Sequence, residues 1–121
     1  MAKELVTFSP DMDLHQAIKM LLAKRISGAP VVDDQGGLVG ILSKKDCLKV
    51  AFAASYHKEL AGPVADYMST SVETVDADDD IVEVAELFLR STYRRFPVME
   101  RGRLVSQISR HDILQAIEDL W

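Results

Sequence analysis

The sequence predicts an α/β fold of the α+β class, made of two β-α-β-β-α repeats related by a pseudo-twofold axis. Two similar stretches of the 121-residue chain support this prediction: RISGAPVVDDQGGLVGILSKKD at residues 25–46 and YRRFPVMERGRLVSQISRHD at residues 93–112. Each contains a Pro before an apolar pair, a turn, a Leu-Val strand and a Ser three residues before an Asp. Pro30 and Pro97 are 67 residues apart, whereas the two final Asp residues are 66 apart, because the second turn is one residue shorter.

Each repeat is expected to open with a short strand, at Val6–Phe8 in the first copy and at Val72–Val75 in the second. A helix follows, at about Leu14–Lys24 and about Ile81–Ser91, because apolar residues there recur at i, i+3, i+4, i+7 and i+8. The two predicted buried stripes are Leu14, Ala17, Ile18, Leu21 and Leu22, and Ile81, Val84, Ala85, Phe88 and Leu89.

An acidic residue precedes each of these helices. Asp13 is followed three residues later by Gln16, and Asp80 is followed three residues later by Glu83. This spacing is typical of a capping box, in which side chains satisfy the first free N–H groups of a helix. We therefore expect both helices to begin directly after their Asp.

Each repeat then continues through a β-hairpin into a closing helix. Gly36-Gly37 and Gly102 suit hairpin turns that need a positive φ. The closing helices carry apolar residues on one side, namely Cys47, Leu48, Ala51 and Phe52 in the first copy and Ile113, Ile117, Leu120 and Trp121 in the second. Cys47 is expected to belong to the core rather than to act as a nucleophile, because no His or Asp partner is suggested for it.

The predicted organisation is a first repeat at residues 1–55, a linker with the lead-in of the second repeat at residues 56–71, and a second repeat at residues 72–121. One copy alone would bury too little apolar surface, so we expect the two to pack sheet to sheet as one compact module. Two copies with so long a period do not fit a solenoid, which stacks many shorter repeats.

The composition argues against several classes of protein. A net charge of −5 disfavours nucleic-acid and anionic-membrane binding, and 48% hydrophobic residues are enough for a packed core. No run approaches the roughly 20 apolar residues that span a bilayer, so a cytoplasmic location without membrane contact is expected. No metal site is predicted, because His15, His57 and His111 lack the spacing of metal ligands.

The whole pattern resembles the CBS domain, named for cystathionine β-synthase. It reads V-x-T, D-x-x-L-x-x-A, S-x-x-P-V-V-D, a Gly, and L-V-G-I-L-S-x-x-D, and two copies resemble a CBS pair over nearly the whole chain. The segment VADYMSTSVETV, at Val64–Val75, resembles the usual opening of the family, whereas the first copy starts at MAKELVTF without that lead-in. The resemblance implies a sensor that is not an enzyme and that binds AMP, ADP, ATP or S-adenosylmethionine between the repeats.

The Ser-x-x-Asp motif of that family binds the ligand, and SKKD (Ser43–Asp46) and SRHD (Ser109–Asp112) match it. A helix N-terminus favours phosphate, and a carboxylate can accept two hydrogen bonds from a ribose diol. The implied roles are ribose binding by Asp46 and Asp112, and phosphate binding by Ser43, Ser109, Arg94, Arg95, Arg110, His111 and Lys44. Two alternatives stay open: the motif is also a common capping box, and Arg94-Arg95 also suits a solvated loop.

The resemblance further implies two adenine slots, each between the Pro-strand entry of one repeat and the Ser-x-x-Asp strand of the other. One combines Ile26, Ser27 and Ala29 with Gln107, Ser109 and Asp112, and the other combines Tyr93, Arg94 and Phe96 with Ile41, Ser43 and Asp46. The second copy has Ser106 where the first has Gly40, and Gln107 where an apolar residue is expected. These changes either narrow the slot or supply a base contact, so the two sites need not be equivalent.

The favoured function is therefore a regulatory module that needs no cofactor beyond its ligand and signals to an unidentified target protein in another chain. The alternative is a structural dimerisation or scaffold module with no bound nucleotide. A homodimer is expected in either case, because Phe52, Ile117, Leu120 and Trp121 exceed what one small core needs, unless they pack intramolecularly. The sequence does not choose among the adenosyl ligands, the number of filled sites, or a parallel and an antiparallel dimer.

Overall fold

The computed structural model describes residues 5–57 and 62–121. Residues 1–4 of the predicted first repeat and 58–61 of the predicted linker lie outside the described residues. The elements follow the predicted order: α1 (Leu14–Lys24), β1 (Gly28–Val32), β2 (Leu38–Ser43), α2 (Lys44–His57), a 3-10 turn (Val64–Asp66), β3 (Val75–Asp76), α3 (Ile81–Arg90), β4 (Arg95–Glu100), β5 (Arg103–Ser109) and α4 (Arg110–Leu120).

Two compact units divide the chain: Val6–Val72, and a second unit built mainly from Glu73–Trp121. The first contains α1, β1, β2, α2 and the 3-10 turn, and the second contains β3, α3, β4, β5 and α4. The predicted mixed class and the repeated order of strands and helices are confirmed. Over the described ranges, none of the helices has the length and apolar character needed to cross a membrane.

Helix α1 begins where the sequence predicts and is capped at both ends. The Asp13 carboxylate accepts a hydrogen bond from the Gln16 N–H at 3.3 Å. The helix ends at Arg25, whose left-handed backbone (φ 54°) lets its N–H donate to the Leu21 and Leu22 carbonyls. Such a left-handed residue is a common way to satisfy the last carbonyls of a helix.

The capping box predicted at Asp80 is wrong. Within the part of the chain that is described, its side chain accepts no hydrogen bond from the first turn of α3. The preceding acidic residues close the turn instead: Asp79 accepts from the Asp76 N–H at 2.8 Å, and Asp76 accepts from the Asp78 N–H at 3.0 Å. Such local bonds are typical of Asp, whose side chain reaches backbone groups two or three residues away.

The buried stripes of α1 and α3 are narrower than predicted. Their last residues, Leu22 and Leu89, are 63% and 88% exposed. At 3.6 residues per turn, position i+8 lies about 80° from position i around the helix, at the edge of the stripe. The positions that are fully buried are Leu14, Ala17 and Leu21 in α1, and Val84 and Phe88 in α3.

The opening strands are shorter than predicted. Of Val6–Phe8, only Phe8 pairs with β1, through hydrogen bonds of 2.9 Å with Pro30 and Val32. In the second unit, β3 has two residues and runs parallel to β4. Each segment contributes one deeply buried side chain, Phe8 or Val75, before the chain turns away.

Two antiparallel hairpins, β1–β2 and β4–β5, form the centre of the units. Gly36 and Gly102 adopt φ values of 82° and 78° in the hairpin turns, as predicted, which a side chain would disfavour. Gly37 has no positive φ; its N–H instead donates to the Asp33 carboxylate at 2.8 Å.

The segment predicted as linker and lead-in packs against the first unit. Ser69 pairs with Ile41 of β2 through hydrogen bonds of 2.8 and 2.9 Å. Val64 is completely buried in the first core. Gly40 permits this close approach, because a Cβ there would lie 2.7 Å from the Met68 sulfur. This segment therefore completes the first unit rather than only connecting it to the second.

The closing helices bury one side and expose another. Cys47 lies in the first core as predicted, and burial, aided by the charge of Asp46, raises the pKa of its thiol. Ile117 packs against the second core, so the intramolecular alternative applies to this residue. Among the described residues of these helices and the C-terminus, Leu48, Phe52, Leu114, Leu120 and Trp121 are all at least 68% exposed.

The substitution Val64→Ala tests whether the lead-in segment belongs to the first core. It should lower the free energy of unfolding by about 1–3 kcal/mol, because a buried side chain is truncated and leaves a cavity. Urea denaturation measures the change. The matched control is Val82→Ala on the surface of α3, where the effect should stay within about 0.5 kcal/mol. Equal effects of the two substitutions would contradict a buried role for Val64.

Candidate functional site

The two Ser-x-x-Asp turns form the same structure at the starts of α2 and α4. The Asp46 carboxylate accepts hydrogen bonds from the N–H and the hydroxyl of Ser43, both at 2.9 Å, and the Asp46 N–H donates to the Ser43 hydroxyl at 3.1 Å. The same three distances between Ser109 and Asp112 are 2.8, 2.9 and 3.2 Å. The capping alternative is therefore realised in both copies.

Capping leaves part of each motif available to a ligand. A Ser hydroxyl has one hydrogen to donate, and in both turns that hydrogen goes to the Asp carboxylate. Ser43 and Ser109 can therefore donate to a phosphate only by releasing this bond. Both bonds to Asp46 fall on Oδ2, and no described residue donates to its Oδ1. Asp46 thus keeps acceptor capacity for a ribose hydroxyl.

The Asp112 carboxyl is held in its charged form. Burial raises the pKa of this carboxyl, but the hydrogen bonds from the Ser109 N–H and hydroxyl are among the interactions that lower it. The net pKa lies below the ordinary value of 3.8. A charged Asp112 is the state that accepts hydrogen bonds from a diol most strongly.

The second hairpin brings five of the predicted residues to one pocket. Arg95 lies opposite Ser109 across the β4–β5 pair, and Gln107 shares a face of β5 with Ser109 because side chains alternate along a strand. The chain then enters the first turn of α4. The resulting pocket has a volume of about 280 Å³ and is lined by Arg95, Gln107, Ser109, His111 and Asp112.

This small pocket combines fixed positive charge with hydrogen-bond acceptors. The guanidinium of Arg95 is permanently charged and offers planar donors that match phosphate oxygens. Gln107 and Asp112 supply acceptors within the same pocket. Arg94 and Arg110 are exposed beside these residues in the chain, and neither is part of the pocket lining.

The equivalent turn of the first unit carries less charge. Gly28 occupies the place opposite Ser43 that Arg95 occupies opposite Ser109. The Ser27 carbonyl accepts a hydrogen bond from the Lys44 N–H at 2.8 Å, and Lys44 itself is exposed. The two turns therefore share their backbone structure and differ in the cations around them.

The predicted base-slot residues divide by burial. Ala29 and Phe96 are 1% exposed and lie in the two cores, so almost none of their surface is open to a ligand. Ile26, Ile41 and Gln107 are partly exposed, and Ser27 and Tyr93 are exposed. Each predicted slot combines residues of both units, and that pairing stays a prediction.

A second pocket in the same unit, of about 420 Å³, has no counterpart in the sequence prediction. It lies beside β3, α3 and α4 and shares His111 and Asp112 with the smaller pocket. Its apolar wall includes Val75, Ile81, Val84 and Ala116. No motif marks this pocket as a site, and the sequence predicts Val75, Ile81 and Val84 only as parts of an opening strand and a buried helix stripe.

Comparison with known proteins finds the same family in both halves of the chain. The family model of the CBS domain matches residues 1–53 and 64–119. A CBS domain-containing protein of Dictyostelium discoideum is 30% identical over 127 residues, which cover 97% of this chain and 87% of that protein. The uncharacterized protein MJ1225 of Methanocaldococcus jannaschii is 26% identical over 121 residues, which cover this whole chain and 42% of that protein.

Some of the similar proteins are much longer. The chain is 31% identical over 114 residues to inosine-5′-monophosphate dehydrogenase of Methanocaldococcus jannaschii, a match that covers 93% of this chain and only 22% of the enzyme. The chain thus spans less than half the length of this enzyme and of MJ1225. The match to the dehydrogenase concerns a minor part of that protein.

Solved structures resemble the chain along nearly its full length. CBSX2 in complex with AMP has a TM-score of 0.80 and 28% identity, and the match covers 96% of this chain and 89% of that one. CBSX2 is a CBS-pair protein from Arabidopsis thaliana. The CBS-domain containing protein ATU1752 of Agrobacterium tumefaciens has a TM-score of 0.73 and 28% identity, with 94% of this chain and 84% of that one covered.

The pKa of Asp112 generates a prediction about stability and pH. A carboxyl whose pKa is lowered by folding stabilises the protein above its unfolded value, and this stabilisation is lost as the pH falls through the folded value. Asp112→Asn should therefore cost about 0.5–1.5 kcal/mol at pH 7, the net contribution of a hydrogen bond. The cost should shrink below pH 3.8, the ordinary value for Asp.

Urea denaturation at pH 7, 5 and 3 measures this difference. Asp34→Asn, at an exposed residue of the first hairpin turn, is the matched control for the change of charge. A cost of Asp112→Asn that is the same at all three pH values would show that the carboxylate charge does not stabilise the turn.

Proposed function

The chain belongs to the CBS-domain family, and from this premise we propose that it is a regulatory module that binds an adenosine-containing ligand at its Ser-x-x-Asp turns and signals to another protein. The candidates are AMP, ADP, ATP and S-adenosylmethionine. The observation that carries the proposal is the pocket of about 280 Å³, in which Arg95 and Asp112 lie together at the Ser-x-x-Asp turn. The similarity to CBSX2, solved with AMP, supports an adenylate.

In this proposal Asp46 and Asp112 bind the ribose. The free Oδ1 of Asp46 lets that residue accept a ribose hydroxyl without giving up its capping bonds. At Asp112 the lowered pKa keeps the carboxylate charged at neutral pH. Capping fixes the orientation of both carboxylates before a ligand arrives, which reduces the entropy lost on binding.

Phosphate groups would interact mainly with residues of the second unit. Arg95 lines the small pocket, and His111 lies in the same lining at the start of α4. Arg94 and Arg110 would add positive potential from the surrounding surface. Since the first unit offers Lys44 but has Gly28 in place of Arg95, we propose that charged phosphates bind preferentially at the Arg95 pocket.

The alternative function is a structural dimerisation module with no bound nucleotide. The exposed apolar residues of α2 and α4 favour association and would serve it equally well. The two proposals differ in one observable, because only the sensor is stabilised by an adenylate. Catalysis has no support from the site, since a capped Asp and an Arg do not form a general acid and base pair. A cytoplasmic location stays a prediction from the sequence.

A thermal-shift screen with AMP, ADP, ATP, S-adenosylmethionine and adenosine tests the sensor. A ligand at 100 times its Kd should stabilise the protein by about 2.7 kcal/mol. Asp46→Asn or Asp112→Asn should then weaken binding by about 1.5–3 kcal/mol, the scale of a hydrogen bond to a charged group, as measured by titration calorimetry.

Arg95→Ala should weaken AMP and ATP more than adenosine, because adenosine has no phosphate. The control is Arg90→Ala at the end of α3, which removes the same charge from a residue that does not line the pocket. Absence of binding by any of the five compounds, or equal losses with Arg95→Ala and Arg90→Ala, would refute this placement of the phosphates.

We further propose that the chain forms a homodimer in which α2 of one copy packs against α4 of the other. The outer face of α2 presents Leu48 and Phe52 between Lys45 and Lys49. The outer face of α4 presents Leu114, Leu120 and Trp121 beside Glu118 and Asp119.

This difference in charge favours unlike helices over like helices. Pairing α2 with its own copy would bring the Lys residues of both copies together, and pairing α4 with its own copy would do the same for the acidic residues. Pairing α2 with α4 places opposite charges around a shared apolar contact. Charge complementarity of this kind selects the register and orientation of an interface more than it adds affinity.

Cysteine cross-linking distinguishes the pairing of α2 with α4 from the pairing of each helix with its own copy. Leu48→Cys and Leu114→Cys place exposed thiols on α2 and α4, respectively. The α2–α4 dimer predicts a cross-link in a mixture of the two variants and little in either variant alone. Cross-links within each single variant would instead indicate pairing of like helices. The native Cys47 gives the background level, because burial raises the pKa of its thiol and lowers its reactivity.

A further inference from the structure

The start of helix α2 has few hydrogen-bond donors left for a ligand. A helix leaves its first four N–H groups without partners inside the helix, and in α2 these belong to residues 43–46. The Ser43 N–H donates to the Asp46 carboxylate at 2.9 Å, and the Asp46 N–H donates to the Ser43 hydroxyl at 3.1 Å. The Lys44 N–H donates to the Ser27 carbonyl at 2.8 Å. Of these four groups, only the Lys45 N–H has no acceptor among the residues that the structure describes.

The side chains around this turn add little to that set of donors. The single hydroxyl hydrogen of Ser43 goes to the Asp46 carboxylate at 2.9 Å. Gly28 lies opposite Ser43, where a Cβ would lie 3.0 Å from the Leu42 carbonyl oxygen, so the β2 backbone leaves little room for a cationic side chain at this place. Lys44 is exposed, and an exposed ion pair contributes little.

What the turn does offer is an oriented acceptor. Both bonds from Ser43 fall on Oδ2 of the half-buried Asp46, and no described residue donates to its Oδ1. A carboxylate oxygen accepts a hydrogen bond from a hydroxyl group and repels the negatively charged oxygens of a phosphate. The first turn therefore favours a ligand that brings hydroxyl donors over one that brings phosphate acceptors.

The second turn differs from the first in two donors. Arg95 lies opposite Ser109, in the place that Gly28 has in the first unit, and it lines the small pocket. The Arg110 N–H is the counterpart of the Lys44 N–H, and within residues 5–57 and 62–121 nothing accepts a hydrogen bond from it. Both groups are suited to a phosphate oxygen.

We propose that the first turn binds an adenosyl group through its ribose and takes no phosphate, so that the two turns select different classes of ligand. The inference rests on the proposed function and narrows it: a nucleoside or an S-adenosyl compound binds at the first turn, and a nucleotide binds at the second. At the first turn Asp46 accepts a ribose hydroxyl at Oδ1. Ser43 is a positioning residue that holds this carboxylate, rather than a phosphate ligand.

Two variants isolate the turns for titration calorimetry with adenosine, S-adenosylmethionine and AMP. Arg95→Ala combined with Asp112→Asn leaves the first turn intact, whereas Asp46→Asn leaves the second intact. With only the first turn, AMP should bind less than about fivefold more tightly than adenosine, the upper range for an exposed ion pair. With only the second turn, AMP should bind about tenfold or more tightly than adenosine, because its phosphate meets Arg95. At the first turn, the tighter of adenosine and S-adenosylmethionine identifies the source of the adenosyl group.

The substitution Ser43→Ala, made in the variant that keeps only the first turn, separates positioning from phosphate binding. Adenosine and AMP should lose affinity by the same factor, about twofold to tenfold, because the Asp46 carboxylate must then be ordered by the ligand. Ser43→Thr should restore both affinities, since Thr keeps the hydroxyl group. Ser71→Ala, at an exposed residue outside the turn, is the matched control and should change neither affinity.

The results separate this inference from the proposed function. A preference for AMP of about fivefold or more at the first turn, or the same preference at both turns, would overturn the inference and leave the adenylate sensor standing. A loss with Ser43→Ala that is absent, or confined to AMP, would overturn the positioning role of Ser43. If the original chain binds none of the three compounds, the inference and the proposed function fail together.

Discussion

The reciprocal bond between Ser and Asp at the two strand-to-helix junctions is the interaction on which both repeats depend. In each repeat it ends a central strand, starts the closing helix and satisfies N–H groups that would otherwise lack partners. The same bond orients the Asp carboxylate at the point where the second hairpin strand meets the closing helix. Structure and proposed binding are therefore not competing explanations of the motif, since the cap is what holds the binding group in place.

Much of this fold could be predicted from the sequence, because the helix stripes, hairpin turns and Ser-x-x-Asp motifs each occur in both repeats. The start of α1 at Leu14 follows from Asp13 and the apolar stripe, and the hairpins follow from Gly36 and Gly102. The errors have local causes. Asp80 makes no capping bond, whereas Asp76 and Asp79 bond within the turn before it, and Leu22 and Leu89 are exposed because position i+8 lies at the edge of the apolar stripe.

The candidate residues of the site could be predicted from the sequence, but their grouping in one pocket could not. The resemblance and the residue types made Arg95, Gln107 and Asp112 candidates for ligand binding, but only the folded chain shows that they line one pocket. The spacing of residues in the sequence could not reveal that Phe96 is buried in the second core. Its ring packs edge-on against that of Phe88, with 4.7 Å between the ring centroids. The difference in charge between the two turns was visible in the sequence, whereas its consequence depends on which residues face each other across a strand pair.

The contribution of Val64 to the first core changes where this protein can be divided. The 3-10 turn after α2 packs into the core of the first repeat through Val64. A cut between α2 and the 3-10 turn would therefore leave a cavity in the first core and would expose the apolar Val64 side chain on the other fragment. The compact unit that contains Val64 extends to Val72, beyond the strand-edge contact of Ser69. Gene fragments cut at the apparent end of the first motif would therefore not encode a complete folding unit.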